Sequence, residues 1–180
     1  MRHDLIVAVL RRMCAKAGIP TTWEVMVIEG SQMRMDLVLH TSAGRVWVDV
    51  SIVNPQCPSY VKADATKARE GEKRGKWKKL ASERGVAFKP FVMDTFGRLG
   101  EEAIALLKTI ARSACMNNPE PIMGDPRAWE GRYRRDLVVR LSVSLAQANY
   151  CIVEENLLKS TRAYISTAAM YRGLKKRGWY

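Results

Sequence analysis

Two aspartates interrupt apolar runs in which a buried strand has no use for charge. In "RMDLVLHTSAGRVWVDVSIVNP", from Arg34 to Pro55, Asp36 and Asp49 each stand among Val, Leu and Ile. The residues between the runs, "TSAG", are turn-forming. Taken as a hairpin with Thr41 to Gly44 as a four-residue loop, the runs pair so that His40 faces Arg45 and Asp36 faces Asp49, each pair of numbers summing to 85. Opposed side chains on an antiparallel pair have Cβ atoms about 4.5–5.5 Å apart, and like charges there are destabilising. Three things relieve them: a shared proton, a nearby Arg or Lys, or a divalent cation. Magnesium binds through one or two carboxylates, waters and phosphate. Held between carboxylates of a basic protein, it serves phosphodiester hydrolysis. The competing, purely structural reading pairs Asp36 with Arg34 or Arg45 on the same face.

The elements that must position this pair follow from patterning. Alternation puts Val46, Val48, Val50 and Ile52 on one face of the second run, with Arg45, Trp47, Asp49, Ser51 and Val53 on the other. On the first run, Met35, Leu37 and Leu39 point to the core, while Arg34, Val38 and His40 share the face of Asp36. Ahead of the hairpin, "DLIVAVLRRMCAKAGIP" reads as an amphipathic helix closed by Gly18 and Pro20, and "TWEVMVIEG" as a strand. Behind it, Lys62 to Arg84 lacks proline and is rich in Ala, Lys and Glu, so helix is its natural state. "VAFKPFVMD" is a further strand that Pro90 confines to an edge or bulge. "TFGRLG" is a turn, and "EEAIALLKTIARSACM" a helix with acid at its start.

"NNPEPIMGDP", 117–126, is a linker. It divides an α/β core, 1–116, from a helical extension, 127–180, packed on the core or used for dimerisation. In the extension, Trp129, Tyr133, Leu137, Leu141, Leu145, Ala148 and Ile152 form one stripe, a core face or a dimer seam. The last stretch, from Ser160, reads as a new helix with a capping Ser or Thr and a basic tail. The order α, β, β, β, α, β, α predicts a mixed sheet flanked by helices.

The chain has 180 residues, 47% hydrophobic, with 30 Lys plus Arg against 18 Asp plus Glu, a formal charge of +12 and a pI near 9.8. This suits one domain of moderate size and a polyanionic partner, either nucleic acid or an acidic membrane face. No run reaches the roughly 18 uncharged apolar residues of a membrane span, so no membrane partner is expected. Cys14, Cys57, Cys115 and Cys151 make no C-x-x-C pair and His is scarce, which argues against zinc. The expected setting is intracellular, the nucleus if the source is eukaryotic.

At these residues the chain resembles the PD-(D/E)XK, or restriction-endonuclease-like, superfamily, and more narrowly the endonuclease domain of non-LTR retrotransposon and related reverse-transcriptase-derived proteins. The resemblance rests on "RMDLVL", "VWVDVSIVNP", "EKRGKWKKLA" and "FKPFVMDTFGRLG", with "RHDLIVAVL" a weaker N-terminal match. It implies a restriction-endonuclease-like α-β-β-β-α-β core and magnesium- or manganese-dependent cleavage of DNA. Asp36 and Asp49 match the metal-binding acids, and Glu29 or Glu24 would complete the metal shell. The family's lysine, two residues after the second acid, is here Ser51, and Met35 stands where proline is frequent. Relatives with a displaced lysine take it from the following helix, which makes Lys73 and Lys76 the candidates. Ser51 itself can only hydrogen-bond.

Further basic residues suit a phosphate backbone: Arg34, then Lys62, Lys67, Arg74, Lys78 and Lys79 around the helix, and Lys175, Lys176 and Arg177 in the tail. Acids interleave with the helical ones, so a solvated helix face reads equally well. Two other functions remain open beside cleavage: a nucleic-acid-binding module on the same fold without catalysis, for which Ser51 speaks, and a basic surface that contacts acidic proteins.

Overall fold

The computed structural model describes residues 2–28, 32–60, 63–117 and 125–176, with side chains described through 162 and at 164, that of 126 excepted. Helix α1 (Arg2–Lys16) buries Ile6, Val9, Leu10, Met13 and Cys14, the spacing of a single helical face. It stops at Gly18, whose φ of 70° favours glycine. Three antiparallel strands follow: β1 (Thr21–Met26), β2 (Arg34–Thr41) and β3 (Gly44–Val53). A short 3-10 turn (Pro58–Tyr60) leads to helix α2 (Ala65–Glu83), whose N-cap Asp64 accepts from the N–H groups of Thr66 and Lys67. Strand β4 (Ala87–Asp94) then pairs parallel to β3, giving a four-stranded mixed sheet in the order β1-β2-β3-β4. Pro90 thus lies on an edge strand, where a missing donor is tolerated. Asp94 closes the next turn by accepting from Phe96 and Arg98 N–H. Helices α3 (Glu101–Asn117) and α4 (Pro126–Lys176) complete the described chain.

Two units are distinguished, Met1–Leu145 and Ala146–Tyr180. Leu137, Leu141 and Leu145 of the expected stripe are buried in the core of the first, so the extension of 127–180 contributes its opening turns to that unit. Ser160 does not open a new helix. Helix α4 runs through it, and Thr161 Oγ1 turns back onto the Leu157 carbonyl, the usual recourse of a mid-helix hydroxyl. No helix among the described residues is long and apolar enough to cross a membrane.

The sheet separates two apolar clusters. Against α1, α3 and α4 pack Leu37, Leu39, Val48, Val50, Phe91 and Met93. On the other face Met35, Val38 and Trp47 pack against Trp77 of α2. The hairpin has the expected register from Thr41↔Gly44 to Leu37↔Val48, but only Ser42 and Ala43 lie outside the strands, so the loop is two residues rather than four. Two other expectations fail at Asp36. The β2–β3 pairing ends at Leu37↔Val48, so Asp36 and Asp49 are not a ladder pair. The β1–β2 pairing likewise passes from Trp23↔Leu37 to Val25↔Met35 and omits the Glu24–Asp36 level. There Glu24 has a φ of 50°, a strained value for a side-chain-bearing residue. At this break Met35 lies on the α2 face, although strict alternation predicts it beside Leu37 and Leu39.

Candidate functional site

The break in the ladder is filled by a side chain. Val50 has Phe91 of β4 as its partner on one side and none in β2 on the other, and its N–H donates to Asp36 Oδ2 at 2.6 Å. The same oxygen meets His3 Nε2 from the first turn of α1 at 3.1 Å. Burial pushes the Asp36 carboxyl upward, but the His3 contact and the Val50 N–H outweigh it, and the net direction is down. The Asp36 bond in turn raises His3 from 6.5 to about 9 against the opposing effect of burial, with help from Asp4. His3 is therefore an imidazolium at neutral pH, and Asp36 a carboxylate.

Asp49 turns to α2. It is buried, and both oxygens are engaged: Lys73 Nζ donates to Oδ1 at 2.6 Å, and Trp77 Nε1 donates to Oδ2 at 2.5 Å. The helix geometry explains both contacts. Ala65, Thr66, Glu70, Trp77 and Ala81 are the buried positions of α2, and Lys73 falls in the stripe of Glu70 and Trp77, three residues after the one and four before the other. A lysine on the inward face of a helix needs an anion, and Asp49 is that anion. Ser51, also buried, lies 3.4 Å from Arg69 Nε, while Arg69 Nη1 pairs with Glu72. The position at which the resemblance asks for a lysine thus borders a guanidinium from α2.

Asp36, Asp49, Ser51, Lys73, Lys76 and Trp77 line one open cleft of about 490 Å³. Arg2, His3, Arg34 and Arg69 complete its basic wall. Of the two candidate lysines, Lys73 reaches an aspartate, while Lys76 lies 4.5 Å above the Trp77 ring. Glu24 stays outside the cleft and pairs with Arg34 at 3.7 Å. Glu29, Lys62 and Arg177 lie outside the described residues, as do the side chains of Lys175 and Lys176. Arg74, Lys78 and Lys79 line a separate shallow depression on the outward face of α2, with Arg74 bound to Glu102 at 2.8 Å. Lys67 is exposed and is not part of the cleft.

Sequence reasoning missed His3 and Arg2 as members of the site, and counted Arg69 only among the basic residues of its helix that could track a phosphate backbone. The available signal was small: a histidine at the start of a helix, 33 residues before its partner.

Among the described residues no three His, Cys, Asp or Glu side chains gather into a metal cage. Magnesium does not require one, since waters and substrate phosphate supply most of its ligands. An ionised carboxylate has about four lone-pair sites, and both described bonds of Asp36 fall on Oδ2. Asp36 thus keeps acceptor capacity for a hard ion, whereas both oxygens of Asp49 are already engaged by Lys73 and Trp77. Compared with protein-family models and with curated proteins, the chain matches none.

Proposed function

We propose that the chain is a restriction-endonuclease-like domain of the kind carried by retroelements, which cleaves DNA phosphodiester bonds with magnesium or manganese. The observation that carries this reading is the 2.6 Å contact of Lys73 with Asp49 in a cleft shared with Asp36. A lysine from α2 thereby stands beside the second acid, in the role left vacant by Ser51 two residues after it. The element order α-β-β-β-α-β with a parallel fourth strand is consistent with it.

In this reading Asp36 and Asp49 hold the divalent ion, which when bound supplies charge stabilisation and a more acidic water. Lys73 stabilises negative charge on the phosphate or orients the attacking water. Arg2, Arg34 and Arg69 attract the phosphate backbone into the cleft. Ser51 positions Arg69 and takes no proton.

The test is nicking of supercoiled plasmid with magnesium or manganese. Asp36→Ala and Asp49→Ala are expected to abolish it. Lys73→Met should lower the rate about 100-fold or more, and Lys76→Met far less. A second reading, binding without cleavage, is favoured by a different observation: each aspartate already has a cationic partner, His3 or Lys73. Salt-dependent DNA binding with no cleavage in either metal would replace the first reading by the second.

A further inference from the structure

Helix α4 carries a second apolar stripe, distinct from the one that enters the core. Val139, Val143, Tyr150, Val153, Leu157 and Tyr164 are all more than half exposed. Their spacing is regular. Val143, Tyr150, Leu157 and Tyr164 recur every seven residues, and Val139, Ala146, Val153 and Ser160 form a second seven-residue series three places after them. These are the a and d positions of a heptad repeat, the signature of a helix that packs along another helix. Soluble monomers rarely leave so long an apolar seam open.

We propose that this seam pairs with the same seam of a second copy, antiparallel, with the two-fold axis at the level of Ala148. The sequence contains its own complement in that orientation. Val139 meets Leu157 of the second copy, Val143 meets Val153, and Ala146, the smallest, meets Tyr150, the largest. Beyond this stretch the register turns polar, with Ser160 facing Asp136 and Tyr164 facing Arg132, which limits the seam at both ends. The flanking charges agree. In an antiparallel pair the e positions face each other, and here they bring Arg140 opposite Glu154 twice, once on each side of the axis. Arg140 already binds Asp136 at 2.6 Å and would then lie between two carboxylates. A parallel pair offers no such match: its g-to-e contacts join Ser142 to Gln147 and Asn149 to Glu154, and Tyr150 would have to stack on Tyr150.

The surface beside the first half of the seam fits this occupant. A groove of about 310 Å³ runs between α1 and α4, with Val139 and Val143 on one wall and Val9 and Met13 on the other. Its rim carries Arg12, Lys16 and Arg140. The groove lies on the e side of the seam, the side on which the second copy presents Glu154. An acid-bearing apolar helix edge therefore meets an apolar groove with a basic rim. This pairing is independent of any cleavage activity, so its failure would leave the reading of the cleft untouched.

The experiment is sedimentation equilibrium of the whole chain at micromolar loading, with circular dichroism to verify folding. Twice the chain mass is expected. Leu157→Glu, on an exposed site, should weaken dimerisation about 100-fold. Arg140→Glu and Glu154→Arg should each weaken it about tenfold, and the double exchange should restore it. For direction, Val139→Cys and Leu157→Cys chains are made in a background with Cys57, Cys115 and Cys151 replaced by serine. A short bifunctional maleimide should join the two variants when mixed, but neither alone. A monomeric wild type, a dimer indifferent to Leu157→Glu, or cross-linking of Val139→Cys alone would overturn the proposal.

Discussion

The two faces of the sheet do different work. The face toward α1, α3 and α4 is filled with aliphatic and aromatic side chains, from Leu37 and Leu39 through Val48 and Val50 to Phe91 and Met93. The face under α2 has a smaller apolar cluster around Trp47 and Trp77, and beside it the helix brings charged groups against the sheet. Lys73 meets Asp49 there, and Glu70, pushed up by burial, accepts the Glu102 N–H at the start of α3. One face holds the fold by apolar area; the other spends part of its area on charge pairs, which rarely add net stability when buried. The cleft that holds Asp36 and Asp49 opens beside this second face, where Lys73, Lys76 and Trp77 of α2 line it.

The largest effect that separates the faces is expected on the first. Phe91 is fully buried in the main cluster. Phe91→Ala should cost about 3–5 kcal/mol through lost transfer energy and a residual cavity. Urea unfolding followed by circular dichroism measures it. A loss below about 1 kcal/mol would mean that the main cluster does not dominate stability.

On the second face the next largest effect comes from leaving a charge alone. Lys73→Met should cost about 3 kcal/mol, because Asp49 would remain buried with only the Trp77 N–H. The companion change Asp49→Asn removes the stranded charge, so the double variant should lose less than the two single changes summed. Additive losses in that double-mutant cycle would show that the pair does not act as a unit.

The order of elements, the hairpin register near its turn and the inward stripe of α4 were legible in the sequence because each rests on periodicity over many residues. The site was legible only in part. Asp36 and Asp49 announced themselves as charges in apolar runs, and Lys73 as a basic residue on the Trp77 face of its helix. What periodicity could not convey is the kink. A single residue at Glu24 in the left-handed region and a carboxylate that accepts the Val50 N–H mark the place where the ladder ends and Met35 lies on the opposite face. Neither leaves a mark on alternation. His3 was hidden for another reason: it lies 33 residues before its partner, and a polar residue in the first turn of a helix looks like solvent-facing decoration. The exposed seam of α4 was masked by the stronger inward stripe, since on one helix two apolar stripes read as a single broad one.

Smaller still is the effect of pH on the boundary between α1 and the cleft. His3 is raised to about 9 from 6.5, so its pairing with Asp36 contributes fully below about pH 6.5 and is lost as the pH rises through 9. The lowered Asp36 carboxyl adds the opposite limb: that contribution is present above its ordinary value of 3.8 and is lost on further acidification. The imidazole is 42% exposed, and solvent screening holds the change to about 1 kcal/mol or less. Without metal, the urea midpoint should fall between pH 6.5 and 9.5, and His3→Gln should flatten that limb. An unchanged slope in His3→Gln would assign the pH dependence to other groups and break the link between α1 and Asp36.

The smallest effect should run the other way. Gly71 lies inside α2 on its outward side, and a Cβ built there meets nothing within 4 Å. Glycine in a helix interior is about 0.5–1 kcal/mol worse than alanine because it has more backbone freedom to lose. Gly71→Ala should therefore raise stability by about that much, and Gly75, equally open, should behave alike. The gain should leave the cleft alone, since both glycines border the outer depression and neither lines the cavity of Asp36 and Asp49. Unchanged nicking by the more stable variant would sharpen the contrast between the two sides of α2: an inner stripe constrained by charge contacts and an outer one free to change. If Gly71→Ala instead impaired nicking or DNA binding while stabilising the chain, the outer side would have to be counted as part of the functional surface, with close backbone approach as the reason for its glycines.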